Sequence, residues 1–244
     1  MDDDARVLVI VPAYNEEAAL EATVSSVMDF PLFDVLIVDD GSRDGTKALA
    51  LDLSRAMPRV RCVSLPINSG IGTAVQTGFI YARHHGYAYA AQFDGDGQHD
   101  ANSLHDLASH AIAEKLDLCV GSRFLDLSTE NFRSTPLRRL GISFFAWLIS
   151  VLTGKRVSDP TSGLRIYGHR AIEMFACHYP DDYPEPEALF WCVRNGLRVE
   201  EKPAIMHARA GGQSSIRHLK TAYYMIKVTA AICFDRLRAR EVCR

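Results

Sequence analysis

The first half of the sequence alternates between short runs of Val, Ile and Leu and longer stretches of helical periodicity. That alternation limits the fold more than any other feature. Residues 6–12 (RVLVIVP) and 33–39 (FDVLIVD) are apolar at nearly every position, as expected of strands covered on both faces. Between them, residues 17–28 place apolar side chains at helical spacing, with Asn15 ahead as a candidate N-cap. The same pattern predicts helices near 44–56, 72–85 and 102–114, and strands near 59–65, 89–93 and 117–121. Strands alternating with helices of this length imply crossover units, a mainly parallel sheet and helices on both faces.

Beyond Arg123 the rhythm changes. Residues 126–136 are polar and read as a loop, 137–153 as an aromatic-rich helix, and 158–163 (SDPTSG) as a turn cluster. A final amphipathic helix is expected near 216–240, with Leu219, Tyr223, Ile226, Ala230, Cys233 and Leu237 on one face. Nothing resembles a linker, so residues 1–244 are read as one domain with a C-terminal elaboration.

The net charge of −3 gives no basic field for nucleic acid, so an anionic partner must be held by local cations. Cysteines at 62, 119, 177, 192, 233 and 243 show no C-x-x-C or metal-type spacing, as for small core residues in a reducing compartment. The acidic start (Asp2, Asp3, Asp4) lacks the basic and apolar segments of a signal peptide, and the uncharged stretch 140–154 is short for a membrane span. A cytoplasmic location is the expectation.

In open α/β sheets, ligands bind at the carboxyl ends of the strands. Four such ends carry acidic, amide or glycine residues: PAYNE (12–16), DDGS (39–42), NSGIG (68–72) and DGDGQH (94–99). Asp40 with Gly41 also suits a plain turn, and Gly70 with Gly72 either a turn or a phosphate cradle. Asp94 and Asp96 are more specific: where glycines let the chain turn, two carboxylates one residue apart can reach one hard cation.

Taken in order, PAYNE, VDDGSxDGT (38–46), NxGxGxA (68–74) and FDGDxQH (93–99) resemble glycosyltransferase family 2, which has the GT-A fold. The segments VGSR (120–123), DPTSGLR (159–165), ExP (201–203) and RxxGxS (209–214) are similar to those of its polyprenyl-phosphate sugar synthases, such as dolichyl-phosphate mannosyltransferase. The resemblance implies a nucleotide-sugar-binding half over 1–123, an acceptor-side half over 124–215, and the C-terminal helix over 216–244. It implies that Pro12, Tyr14 and Glu16 flank the base and ribose of a UDP- or GDP-linked sugar, with Asp40 holding the base. Asp94 and Asp96, with Gln98 as a third ligand, would hold Mg2+ or Mn2+. Arg123 and Arg209 would hold phosphates, Asp159 would orient the site, and Gly70, Gly72, Ser162, Arg165 and Ser214 would contact substrate.

The reaction implied is inverting transfer of a sugar to a polyprenyl phosphate. Transfer to a glycan hydroxyl is the alternative, in which one of Asp159, Glu185 and Glu187 would act as base; a catalytically silent nucleotide-binding subunit is the other. The Q-x-x-R-W signature of processive synthases is absent, as is a G-x-G-x-x-G after the first strand. Arg133, Arg138 and Arg139 beside the apolar helix 140–152 suit a lipid phosphate at a membrane surface, and equally a helix packed on the sheet. For the C-terminal helix, docking on its own domain, homodimerisation and contact with a membrane or a membrane partner all stay open.

Overall fold

The computed structural model describes residues 6–125, 136–205 and 218–237. β1 (Val7–Ala13), β2 (Phe33–Asp39), β3 (Val60–Ser64) and β4 (Tyr89–Gln92) run parallel, joined by α1 (Leu20–Met28), α2 (Thr46–Ala56) and α3 (Ile71–His84). α4 (Ala101–Ala113) leads into β5 (Leu118–Ser122), followed by α5 (Pro136–Thr153). The chain continues through β6 (Arg165–Gly168), α6 (His169–Cys177), α7 (Pro184–Arg194), β7 (Val199–Pro203) and α8 (His218–Leu237). The seven strands form one sheet in the order β3-β2-β1-β4-β6-β5-β7.

Alternate side chains of each strand feed two separate cores. Val7, Val9 and Val11 face a layer of α1, α2 and α4, whereas Leu8 and Ile10 face α3, α5, α6, α7 and α8. Both sides being covered explains why β1 and β2 read as unbroken apolar runs. Pro12, which lacks an N–H, lies in β1 beyond its pairing with β4, where Ile10 opposite Gln92 is the last matched residue.

The sheet is parallel except at β6, which runs antiparallel to both β4 and β5. This reversal was not foreseen in the sequence, and it has a consequence for the site. Arg165, the first residue of β6, pairs with Gln92 and with Val120, so the turn preceding it opens at the carboxyl ends of β4 and β5.

Two local expectations are corrected. Asn15 does not cap α1, whose N-cap position is Ala19 with no side-chain bond. It adopts φ 56° instead, its side-chain oxygen accepting from the Arg43 N–H (2.9 Å) and its own N–H donating to Ser42 Oγ (3.1 Å). Asn15 therefore ties the loop after β1 to the loop after β2. In α8 the docked side is not the expected stripe. Val228 and Ile232 are buried, with Tyr224 and Met225 against the same core, while Tyr223, Ile226, Cys233 and Leu237 are exposed. No described helix is long and apolar enough to cross a membrane.

Candidate active site

The strand order turns back between β1 and β4: successive strands step outward to β3, then resume on the other side of β1. The carboxyl ends flanking such a switch diverge and leave a crevice. Pro12 and the exposed Tyr14 lie on the β1 side of it, and Glu16 follows, its N–H donating to Thr46 Oγ1 (2.9 Å). Asp39, the last residue of β2, is buried and braces the turn that follows, accepting from the Ser42 N–H (3.1 Å) and Ser64 Oγ (2.6 Å). Asp40 accepts from the Ser69 N–H (2.7 Å) and the Gly70 N–H (2.8 Å). Burial raises the pKa of its carboxyl, opposed by those two amides and reinforced by the charge of Asp39.

These bonds correct the expected phosphate cradle. The Gly70 N–H is committed to Asp40, and the Gly72 N–H donates to the Asp181 carbonyl (3.2 Å). A backbone N–H has one proton to give, so neither amide is left for a phosphate. Gly72 is instead a point of close approach: a Cβ there would lie 2.2 Å from the Pro180 carbonyl oxygen. Gly70, at φ 92°, needs the left-handed freedom of glycine.

On the β4 side, Asp94 and Asp96 leave the strand through a turn in which Gly97 has φ 71°. A Cβ on Gly95 would stand 3.2 Å from the Pro12 carbonyl oxygen, so this turn lies against the end of β1. Asp96 is buried and accepts from the Gln98 N–H (3.1 Å); Asp94 lies 3.2 Å from Nε2 of the buried His99. Beneath them, Gln92 is fully buried, its amide nitrogen 3.5 Å from Asp94 and its oxygen accepting from Tyr179 (3.4 Å). No three His, Cys, Asp or Glu side chains form a closed metal cluster among the described residues. Two adjacent carboxylates with a neighbouring amide nevertheless fit a hard divalent cation that takes its other ligands from phosphates and water.

The third wall is the turn before β6. Gly163 packs on Asp94, where a Cβ would come within 2.8 Å of the carboxylate. Arg123, just past β5, donates from Nε and Nη2 to the two oxygens of Asp159, each at 2.7 Å, and from Nη2 to Thr161 Oγ1 (2.7 Å). The pair is buried, at 3% and 0% side-chain exposure. Ser162 is buried and its hydroxyl accepts from the Leu164 N–H (3.3 Å). Arg165 is fully buried and spends its guanidinium on three carbonyl oxygens, of Ser162 (2.8 Å), Glu185 (2.7 Å) and Pro160 (2.8 Å). Those bonds put it behind the site, bracing the turn, in place of the substrate contact expected of it.

Glu185 and Glu187 occupy the first turn of α7, as acidic residues near a helix N-terminus do. Burial raises the pKa of Glu185, with Arg165 opposing and Asp94 adding to the rise. Arg133, Arg209 and Ser214 lie outside the described residues. Gln92, Thr161 and Glu201 were given no role from the sequence; Thr161 and Glu201 carried a signal, as members of the DPTSGLR and ExP segments, and Gln92 carried none.

Residues 8–177 match the glycosyl transferase family 2 profile. The chain is 35% identical over 246 residues to polyprenol monophosphomannose synthase of Mycolicibacterium smegmatis, covering 98% of this chain and 92% of that one. It is 30% identical over 243 residues to undecaprenyl-phosphate mannosyltransferase of Micrococcus luteus, covering 96% and 98%. Among solved structures, glucosyl-3-phosphoglycerate synthase from Mycobacterium tuberculosis, in complex with Mn2+, uridine diphosphate and phosphoglyceric acid, matches with a TM-score of 0.70. That match covers 98% of this chain and 80% of the other at 17% identity, a likeness of fold. With the switch-point crevice and its loops in place, the chain belongs to glycosyl transferase family 2 and is a glycosyltransferase of the GT-A fold.

Proposed function

We propose that the chain transfers a sugar from a nucleoside-diphosphate sugar to a polyprenyl phosphate, with inversion at the anomeric carbon. The observation that carries this reading is the pair Asp94 and Asp96 at the switch point, walled by the turn that holds Asp159 and Arg123. The names of the Mycolicibacterium and Micrococcus relatives support the polyprenyl-phosphate acceptor. Mg2+ or Mn2+ held by Asp94 and Asp96, with Gln98 beside them, would neutralise the charge that develops on the departing diphosphate. Pro12, Tyr14 and Glu16 would flank base and ribose on the β1 side. Arg123, and Arg209 beyond the described residues, would place positive charge near the phosphates, with Ser162 and Ser214 in the segments beside them.

The state of Asp159 favours a phosphate acceptor over a hydroxyl. A phosphate monoester with a second pKa of about 6 is a competent nucleophile at neutral pH, whereas a sugar hydroxyl needs a carboxylate to take its proton. Both oxygens of Asp159 are occupied by Arg123, which suits an orienting role. The exposed Leu140, Trp147 and Val151 of α5, and Ile226 and Phe234 of α8, support peripheral contact with a membrane.

The test is to incubate the protein with a panel of UDP- and GDP-sugars and either a short polyprenyl phosphate or a free glycan, and to weigh the products. A mass gain of one sugar on the lipid phosphate is expected. Transfer to glycan with none to lipid phosphate would overturn the acceptor.

A further inference from the structure

The carboxylate of Glu201, on β7, holds the start of the Asp159 turn. Side chains alternate along β7: Glu200 lies 3.0 Å from His110 Nε2 on α4, and Glu201 points to the opposite face. There its Oε2 accepts from the Ser158 N–H (2.8 Å) and its Oε1 from the Asp159 N–H (2.9 Å). Two consecutive amides are thus bound by one charged group, which defines both the position and the direction of the chain entering the turn.

The frame behind Glu201 is itself tied down. β7 pairs in register with β5, Glu201 opposite Val120, and the Ala204 N–H donates to the Ser122 carbonyl (3.0 Å). Ser122 Oγ lies 2.8 Å from Ser158 Oγ, and Arg123 follows directly in the chain. Arg123 and Asp159 therefore approach each other from two segments held by the same strand pair. Glu201 is the charged side chain that binds the backbone of the Asp159 segment to this frame, alongside the Ser122–Ser158 contact.

We propose that Glu201 is a positioning residue for sugar transfer, its carboxylate placing Asp159 and, through Asp159, the guanidinium of Arg123. The inference rests on the proposed roles of those two residues in the site.

Glu201→Gln keeps the length of the side chain and one oxygen, but turns an NH2 toward one of the two amides, donor against donor. A small misplacement of groups in the site is enough to cost about 10–100-fold in kcat. The KM for the nucleotide sugar should stay within about twofold, since Pro12, Tyr14 and Glu16, which would hold its base and ribose, lie on the β1 side of the crevice. Combined with Asp159→Asn, the substitution should add little further loss, because residues acting as one unit do not add. Glu200→Gln, on the same strand but facing α4, should transfer sugar at the unaltered rate. Losses that multiply in the double variant, or a rise in KM alone, would overturn the positioning role. If the unaltered chain does not glycosylate polyprenyl phosphate, the acceptor reading falls instead. The same variants are then compared by release of nucleoside diphosphate from the donor, which tests the coupling without the lipid.

Discussion

Asp94 and Asp96 leave a four-residue strand through a turn that glycine makes possible, Asp94 beside His99 and Gln92 and Asp96 accepting from the Gln98 N–H. Asp94→Asn or Asp96→Asn is expected to abolish transfer while leaving the thermal midpoint within a few degrees, because in the proposed mechanism these oxygens would serve the cation. Full activity in excess EDTA would sink that assignment. Gly72 makes a different kind of demand. A methyl group there would meet backbone oxygen atoms at 2.2 and 2.3 Å, which cannot swing aside as a flexible side chain would. Gly72→Ala should therefore destabilise the fold by about 1–3 kcal/mol, read as a fall of roughly 2–10 °C in the midpoint. These residues show the reach of sequence reading. The DxD spacing pointed to a hard cation, and the resemblance to the family is what implied the ligand roles of Asp94 and Asp96. The glycines and Arg165 could not be assigned, since whether an N–H or a guanidinium is spent inside the protein depends on partners distant in the chain.

Among the elements, α7 and α8 share an interface whose charges are not balanced. Arg194 on α7 pairs with Asp235 of α8 (2.6 Å), and Lys227 of α8 pairs with Asp182 ahead of α7. Glu187, in the first turn of α7, feels the charge of both Asp235 and Lys227. Burial pushes its carboxyl from the ordinary 4.5 up to about 7, Asp235 adding to the rise, Lys227 opposing it and Asp181 adding again. A carboxyl with a raised folded pKa stabilises the fold below its unfolded value, and that contribution is lost as pH rises through about 7. Glu187→Gln should thus leave stability near pH 5 little changed and raise it at pH 8. The gain should be about 1–2 kcal/mol after discounting for partial exposure. Thermal melts at the two pH values check it, and a drop at pH 8 would refute it. Helices of the first half were legible because one stripe of each faces the sheet. In α8, apolar residues occur on more than one side, so periodicity did not reveal that Val228 and Ile232 face inward.

For the whole molecule, the crevice at the switch point joins three walls from separate stretches of the chain: loops after β1 and β2, the Asp94 turn after β4, and the turn before β6. A ligand bridging them should stabilise the folded state through its binding free energy, about 2.7 kcal/mol at a concentration 100 times Kd. Nucleoside diphosphate with Mn2+ is expected to raise the thermal midpoint by roughly 5–10 °C, and the same nucleotide in EDTA by far less. Comparing GDP with UDP in that assay would identify the base. Equal shifts with and without the cation would contradict a metal-bridged diphosphate. The sequence alone determined the α/β class, the order of the elements up to β5, and which loops follow the strands at their carboxyl ends. Those features follow from local periodicity and from short motifs, each contained in a few consecutive residues. Only the tertiary structure decided that β6 inserts antiparallel between β4 and β5, and that Arg123 closes on Asp159. It also decided that Glu201 holds the turn between them. Each of these contacts joins residues roughly 35 or more positions apart, and such pairings are set by how whole elements pack, which no local pattern records.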